Sequence, residues 1–220
     1  MKLAFLADPL SGFKTYKDST FAMMREAARR GHTIHAFEQS DMALEGGIVS
    51  AQVSEITLTG DADDWYRATP KVRARLSEFD AVILRKDPAF DMEYVYCTYL
   101  LDLAEKQGAC VVNKAQAVRD HNEKLAITQF SEYTSPTLVT SDSTRLRAFH
   151  AEHGDVIFKP LDGMGGAGIF RIRSDGMNLG SVIESLTDLG RRTIMAQRYI
   201  PEIVKGDKRI LVIGGKPVPF

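Results

Sequence analysis

One stretch of this sequence decides its fold: Lys159-Pro160-Leu161-Asp162-Gly163-Met164-Gly165-Gly166-Ala167-Gly168. Its glycines match the pattern G-x-G-x-x-G, which binds a dinucleotide when it opens a helix. The residues that follow, 169–173, instead alternate apolar and basic side chains, which is the period of a β-strand. We therefore predict a β-hairpin with a glycine-rich tip, and this context disfavours a dehydrogenase.

A hairpin tip of this composition suits phosphate binding. Without Cβ atoms the backbone can fold over a polyphosphate, present N–H donors to it and move as a lid. Lys159 ends the preceding apolar strand, where its ammonium can reach phosphate oxygens. Lys124 lies in the first turn of a predicted helix, where the helix dipole disfavours a cation unless an anion is bound nearby. The alternatives, a flexible surface turn and solvated lysines, remain open.

The first half of the chain alternates strand and helix patterns. Buried strands are predicted at 2–7, 33–37, 81–84 and 109–112, and helices at 18–31 and 91–107. Such alternation is typical of βαβ units and a parallel sheet. The run 48–58 predicts an edge strand or a hairpin. Arg85 follows the strand 81–84, at the edge where open α/β sheets bind ligands, so it is a candidate for recognising a substrate carboxylate.

A second pattern begins near Asn122 and predicts a small α+β domain. Its predicted elements are a helix at 123–132 capped by Asn122, a strand at 137–140, a helix capped by Ser141 and ending at Gly154, a strand at 155–159, a helix at 179–189 and a strand at 193–197. A hairpin at 209–220, turning at Gly214-Gly215, closes the sequence. We expect domains at 1–121, 122–200 and 201–220, the last incomplete, because a lone hairpin cannot bury a core.

Composition excludes several classes of protein. The 28 basic and 29 acidic side chains give a formal net charge of −1, which argues against a general nucleic-acid binder. No apolar run approaches the roughly 20 residues that span a bilayer, and the apolar start is interrupted too early for a signal peptide. Two cysteines in 220 residues do not indicate a disulfide framework. We expect a cytoplasmic α/β protein with no nucleic-acid or membrane partner.

Several segments together resemble the bacterial glutathione synthetases, a family of ATP-grasp ligases. The segments that carry the resemblance are Arg85-Lys86-Asp87-Pro88 with Phe90-Asp91, Val112-Asn113-Lys114, Arg119-Asp120 with Asn122-Glu123-Lys124-Leu125, the glycine-rich stretch from Lys159 to Gly166, Met195-Ala196-Gln197 and Gly206-Asp207-Lys208-Arg209. The match extends from the first predicted strand to the last. It implies an N-terminal Rossmann-like parallel-sheet domain, a central α+β domain that covers ATP, and the start of a C-terminal domain.

The resemblance also implies a reaction. It is the ATP-dependent joining of γ-glutamylcysteine to glycine through an acyl phosphate, releasing ADP and phosphate. That chemistry requires cations around the phosphates and the tetrahedral oxyanion rather than a nucleophile–base pair. Mg²⁺ (or Mn²⁺) and a homo-oligomer, a tetramer, are implied too. Another ATP-grasp carboxylate–amine ligase, or a non-catalytic nucleotide-binding module, remain as alternatives.

The family's site residues carry over position by position. Arg209 would stabilise charge in the acyl transfer, and Arg85 would recognise the substrate. The implied ATP-binding residues are Lys124 and Lys159 at the phosphates, Gly163, Gly165 and Gly166 above them, Gln197, Tyr199 and Ile200 at the adenine, and Asp207 at the ribose. Family members continue past the last hairpin into the segment that binds Mg²⁺, so we expect no metal ligands in these 220 residues, and no ATP turnover by them alone.

Overall fold

The computed structural model describes residues 1–87 and 89–219, which form two compact units. The first unit comprises the described residues of Met1–Ala126 together with Asp162–Gly165. The second comprises Ile127–Leu161 and the described residues from Gly166 onward. The glycine-rich stretch is therefore shared between the two units along the chain.

The first unit is built on an eight-stranded mixed sheet. Its strands are β1 (Lys2–Leu6), β2 (Thr33–Phe37), β3 (Met42–Glu45), β4 (Ile48–Leu58), β5 (Tyr66–Ala68), β6 (Val72–Arg75), β7 (Ala81–Leu84) and β8 (Val111–Val112). The order is β3-β4-β2-β1-β7-β8, with β5 and β6 also paired to β4. The strands β2, β1, β7 and β8 are parallel, as predicted. The hairpin predicted at 48–58 is confirmed, because β4 pairs antiparallel with β3; the edge-strand alternative is wrong, because β4 also pairs with β2.

Helices cover both faces of this sheet. They are α1 (Ser19–Arg29), α2 (Met92–Lys106) and α3 (Ala115–Asp120), with short 3₁₀ helices at Leu10–Gly12, Gln39–Asp41 and Leu76–Glu78. Asp18 and Asp91 cap α1 and α2 by accepting hydrogen bonds from backbone amides three residues later. Phe5 packs with α1, whereas its neighbours Ala4 and Leu6 pack with α2. A strand buried on both faces needs a continuous apolar run, which is why β1 could be predicted.

The second unit is a four-stranded antiparallel sheet with helices on one face. Its elements are β9 (Thr137–Thr140), α4 (Ser143–His153), β10 (Val156–Pro160), β11 (Phe170–Ile172), α5 (Leu179–Thr187) and β12 (Ile194–Arg198). The sheet order is β11-β10-β12-β9. Val156 and Phe158 of β10 pack with Leu146 of α4 and Ile183 of α5, so the other set of alternating side chains points to the opposite face. We call that opposite side the open face.

The end of the chain is a small hairpin. A 3₁₀ helix at Pro201–Lys205 follows β12, and β13 (Val212–Ile213) pairs antiparallel with β14 (Lys216–Pro217). Gly214 and Gly215 form the turn with φ of +57° and +78°, a conformation that favours glycine. The predicted hairpin is therefore confirmed with shorter strands, and residue 220 lies outside the described residues.

Two predicted helices differ from the structure. A 3₁₀ helix at Ala126–Tyr133, with non-helical φ and ψ at Phe130, replaces the regular helix predicted at 123–132. No residue of that segment is buried, so no packed face stabilises an α-helix there. The cap of α4 is Asp142 rather than Ser141, since the Asp142 carboxylate accepts hydrogen bonds from the amides of Thr144 and Arg145 at 2.7 and 3.1 Å.

Candidate functional site

The glycine-rich stretch is the tip of a β-hairpin. β10 and β11 pair antiparallel, with Phe158 opposite Phe170, so the residues after the glycines continue as a strand and not as a helix. The hairpin prediction is confirmed, and the stretch lacks the helix that a dinucleotide fingerprint requires.

Three glycines of the tip have a backbone conformation that other residues rarely adopt. Gly165, Gly166 and Gly168 have φ of +61°, +82° and +71°. At Gly168 a Cβ atom would lie 3.2 Å from Cγ of Pro160, whereas at Gly165 and Gly166 it would meet no atom within 4 Å. The loop therefore leaves open space above Gly165 and Gly166 and packs closely at Gly168.

Lys124 lies beside the start of the glycine-rich stretch, within the first unit. The Asn122 side-chain oxygen accepts hydrogen bonds from the backbone amides of Lys124 and Leu125, so Asn122 caps a turn here instead of an α-helix. The Lys124 side chain is only 12% exposed, and its Nζ donates a hydrogen bond to the carbonyl oxygen of Gly163. Glu123 Oε1 lies 3.7 Å from the same nitrogen. The structure thus brings together two of the residues that the resemblance assigns to ATP phosphates.

Lys159 and Gln197 lie on the open face of the second sheet. Lys159 of β10 is paired with Met195 of β12, and Ile157 is paired with Gln197, so the four side chains share one face of the sheet. Gln197 Nε2 donates a hydrogen bond of 2.8 Å to Thr137 Oγ1 on β9. A cation and an amide are therefore held on one rigid surface.

Tyr199 lies at the end of the open face, in a contact that sequence reasoning missed. Its backbone amide donates to the carbonyl oxygen of Asp155 at 2.8 Å. The guanidinium of Arg171 lies over its ring, with Cζ 3.5 Å from the ring centroid. The same guanidinium donates to both Asp155 carboxylate oxygens, at 2.9 and 2.5 Å, and holds the pKa of that carboxyl below its usual range. The alternation in 169–173 placed Arg171 away from the core but did not indicate its partner.

Three further candidates follow β12 and are exposed. Ile200 directly precedes the 3₁₀ helix at Pro201–Lys205. Asp207 and Arg209 lie after that helix, with side chains 69% and 93% exposed, and Arg209 Nε lies 3.8 Å from Asp207 Oδ2. An exposed ion pair of this length contributes little to stability, so neither side chain is held in one position by the other.

Arg85 directly follows β7, at the carboxyl edge of the parallel sheet. The chain places β2 on one side of β1 and β7 on the other, so the direction in which strands are added changes at β1. Open parallel sheets bind ligands at such a position. Arg85 Nε donates to Thr20 Oγ1 at 3.1 Å and a terminal nitrogen donates to Ser19 Oγ at 2.7 Å, both in the first turn of α1. A guanidinium at the positive end of a helix creates a region that favours an anion.

Lys86 lies next to Arg85 and adds a second cation. Its Nζ lies 2.6 Å from Asp8 Oδ1, just after β1. Asp8 also accepts a hydrogen bond of 2.9 Å from the Asp87 amide. The carboxyl ends of β1 and β7 therefore carry two cations, Arg85 and Lys86, together with the carboxylates of Asp8 and Asp87, an arrangement suited to a zwitterionic ligand.

Other site classes lack support in the described part of the chain. Among residues 1–87 and 89–219, no group of three or more His, Cys, Asp or Glu side chains is placed to hold a metal ion. The helices that the structure describes include none that is long and apolar enough to cross a membrane.

The fold and the glycine-rich hairpin define the class of protein. A solved structure described as a RimK domain protein ATP-grasp, from Sphaerobacter thermophilus, superposes with a TM-score of 0.58 at 22% identity, covering 91% of this chain and 64% of that one. Residues 123–220 match the model described as "Prokaryotic glutathione synthetase, ATP-grasp domain", and residues 1–119 match "Prokaryotic glutathione synthetase, N-terminal domain". The protein has the ATP-grasp fold, as predicted.

The chain belongs to the prokaryotic glutathione synthetase family. It is 64% identical over 219 residues to the glutathione synthetase of Ralstonia nicotianae, covering all of this chain and 68% of that protein. It is 56% identical over 224 residues to the glutathione synthetase of Neisseria meningitidis serogroup A, of which it covers 70%. Membership makes this an ATP-using ligase of small molecules and confirms the resemblance.

Proposed function

We propose that the protein joins γ-glutamylcysteine to glycine, giving glutathione, ADP and phosphate. The observation that carries the proposal is the glycine-rich hairpin, with Lys159 at the end of β10 and Lys124 bonded to Gly163. Family membership supports the choice of substrates, because the relatives that match over this whole chain are glutathione synthetases.

ATP would bind with its phosphates at the hairpin. In the proposal, the ammonium groups of Lys124 and Lys159 bind phosphate oxygens, and the amides of Gly163, Gly165 and Gly166 donate to them. The open space above Gly165 and Gly166 supports this, since the backbone there has no side chain in the way of a phosphate.

The nucleoside would lie along the open face and beyond it. Gln197, Tyr199 and Ile200 would line the adenine, and Asp207 would accept a hydrogen bond from a ribose hydroxyl. The order of these residues along β12 and the following segment supports a base near the strand end and phosphates near Lys159.

The proposed reaction has two steps with balanced atoms. The cysteine carboxylate of γ-glutamylcysteine attacks the γ-phosphorus of ATP, the bond between this phosphorus and the β,γ-bridging oxygen breaks, and ADP leaves. The glycine amine then attacks the acyl carbon, phosphate departs with one oxygen of the former carboxylate, and the amine loses a proton. Lys124 and Lys159 would stabilise charge in the first step, Arg209 would stabilise the oxyanion in the second, and Arg85 would hold a substrate carboxylate.

The proposal includes a magnesium ion, although the described residues do not form a cluster of ligands for it. A divalent cation bound together with ATP would supply positive charge that neutralises the phosphates. The described residues present no cluster of three or more suitable ligands, so no step is assigned to the ion. A tetramer is likewise proposed from the family resemblance, and a cytoplasmic location is proposed from the composition of the sequence.

The proposal is tested on the protein at the full length of its glutathione synthetase relatives, by measuring ADP release from ATP and Mg²⁺ with each substrate singly and together. We expect sustained release only with both γ-glutamylcysteine and glycine, and a product with the mass of glutathione. Release with another acid and amine but not with this pair would favour a different carboxylate–amine ligase. ATP binding without release under any of these conditions would favour a nucleotide-binding module.

A further inference from the structure

The contact between Arg171, Asp155 and Tyr199 crosses three adjacent strands. Arg171 is on β11, Asp155 directly precedes β10, and Tyr199 directly follows β12. Since β11 and β12 lie on opposite sides of β10, about 10 Å apart, only a long side chain can reach from one to the other. Arg171 spans this distance, and the Asp155 carboxylate between the two strands accepts hydrogen bonds from its Nε and from one terminal nitrogen.

Asp155 fixes Tyr199 in two ways. Its carbonyl oxygen accepts the Tyr199 amide, which sets the position of the Tyr199 backbone. Its carboxylate orients the guanidinium whose Cζ lies 3.5 Å from the ring centroid, and this sets the plane of the ring. The hydrogen bonds between the two side chains lower the pKa of the Asp155 carboxyl and raise the pKa of the Arg171 guanidinium.

This cluster lies on the same face of the sheet as Lys159. Arg171 is paired with Ile157, and Ile157 and Lys159 are alternate residues of β10, so all three point to the open face. Asp155 and Lys159 are four residues apart, about 13 Å along an extended strand. An extended nucleotide with its phosphates at Lys159 would place its base near the Tyr199 ring.

We propose that Arg171 is a positioning residue for the nucleotide base: with Asp155 it holds the Tyr199 ring in the plane on which adenine stacks. This inference rests on the proposed function for the assignment of adenine to Tyr199. A guanidinium that lies over one face of the Tyr199 ring fixes the plane of the ring, and the other face can stack on a flat ligand. Arg fixes the ring better than Lys because the guanidinium is planar and forms two hydrogen bonds with the carboxylate.

The chain contains a matched control for this pair. Arg191 and Asp188 form the same fork, with hydrogen bonds of 3.0 and 2.6 Å, on the surface of the same unit. Their contacts include no aromatic ring among those the structure describes. If Arg171 were only a surface ion pair, Arg171→Ala and Arg191→Ala would have the same effect.

The test is calorimetric titration of the purified protein and its variants with ATP and, separately, with inorganic tripolyphosphate. We expect Arg171→Ala and Arg171→Lys to weaken ATP binding about three- to tenfold while leaving tripolyphosphate binding unchanged. Arg191→Ala should change neither, and Lys159→Ala should weaken both.

A double-mutant cycle tests the route through Tyr199. Tyr199→Phe, which keeps the ring, should bind ATP more tightly than Tyr199→Ala, and Arg171→Ala combined with Tyr199→Ala should be no weaker than Tyr199→Ala alone. Additive effects, or equal weakening of ATP and tripolyphosphate by Arg171→Ala, would overturn the inference. So would a protein that does not bind ATP. A protein that binds ATP as expected but forms no glutathione would contradict the proposed function and leave this inference standing.

Discussion

The Lys124 ammonium donates a hydrogen bond to the carbonyl oxygen of Gly163, 39 residues further along the chain. An ammonium has three N–H donors, so a phosphate oxygen can be added beside this carbonyl without displacing it. The bond fixes a cation at the entrance of the glycine-rich stretch. In the proposed function, Lys124 therefore contributes both to the conformation of the loop and to the charge that binds ATP.

Replacing Lys124 tests that double role. We expect Lys124→Ala to weaken ATP binding roughly 10- to 100-fold, as for the loss of a hydrogen bond to a charged group. Lys106→Ala removes an exposed lysine at the end of α2 and should leave ATP affinity unchanged. Titration calorimetry measures both. Equal affinities for the two variants would exclude Lys124 from the phosphate site.

The conformation of Gly168 at the hairpin tip leads to a prediction about the stability of the protein. Gly168→Ala should lower the free energy of unfolding by about 2 kcal/mol, because the residue has φ of +71° and the added Cβ would lie 3.2 Å from Pro160 Cγ. Gly12→Ala is the matched control, since nothing lies within 4 Å of its Cβ and its φ is not in the left-handed region. Urea unfolding should show less than about 0.5 kcal/mol for the control. A neutral Gly168→Ala would mean that the tip is not held as described.

Arg85 makes a prediction about substrate recognition. In the protein at the full length of its relatives, Arg85→Ala should raise KM for γ-glutamylcysteine about tenfold or more and leave KM for ATP unchanged. The double variant Ser19→Ala and Thr20→Val removes the two hydrogen bonds that orient the guanidinium, so it should raise the same KM by a smaller factor. Arg30→Ala, at the far end of α1, serves as the control. If KM for ATP rises instead, Arg85 belongs to a different subsite.

The burial of His35 leads to a prediction about how the stability of the protein depends on pH. It is buried on β2, its Nδ1 has no hydrogen-bond partner, and burial, aided by Lys2, lowers its pKa below the ordinary 6.5. The folded protein therefore takes up this proton less readily than the unfolded chain, so stability should be fully present above about pH 6.5 and fall as the pH drops below it.

We therefore expect His35 to account for part of the loss of stability between pH 7.5 and 5.5. His35→Leu should remove it, whereas His121→Gln, at an exposed position, should retain it. Urea unfolding at the two pH values gives the comparison. An unchanged pH dependence in His35→Leu would show that other groups are responsible.

The sheet of the first unit could be predicted from sequence because its strands carry their signal locally. β1 and β7 are apolar runs since both of their faces are buried, and Asp18 and Asp91 cap helices through amides three residues away. The segment 126–133 could not be predicted in the same way. It has apolar residues at helical spacing, but it buries none of them, and tertiary packing decides whether such a segment becomes an α-helix.

The candidate site could also be predicted only in part. The glycine-rich hairpin tip could be predicted because the glycines that its backbone conformation requires lie close together in the sequence. The Arg85 contacts with Ser19 and Thr20 join residues 66 and 65 positions apart, and the Arg171 contact with Tyr199 depends on the register of three strands. No local pattern contains such information, so these partners became apparent only with the fold.

The most direct test of the account follows one oxygen atom. The protein at the full length of its relatives would be given ATP, glycine and γ-glutamylcysteine labelled with ¹⁸O in its cysteine carboxylate, and the inorganic phosphate would be analysed by mass spectrometry. Activation of that carboxylate as an acyl phosphate predicts that each phosphate released carries one oxygen from the dipeptide. Phosphate that contains no label, formed together with glutathione, would contradict the account.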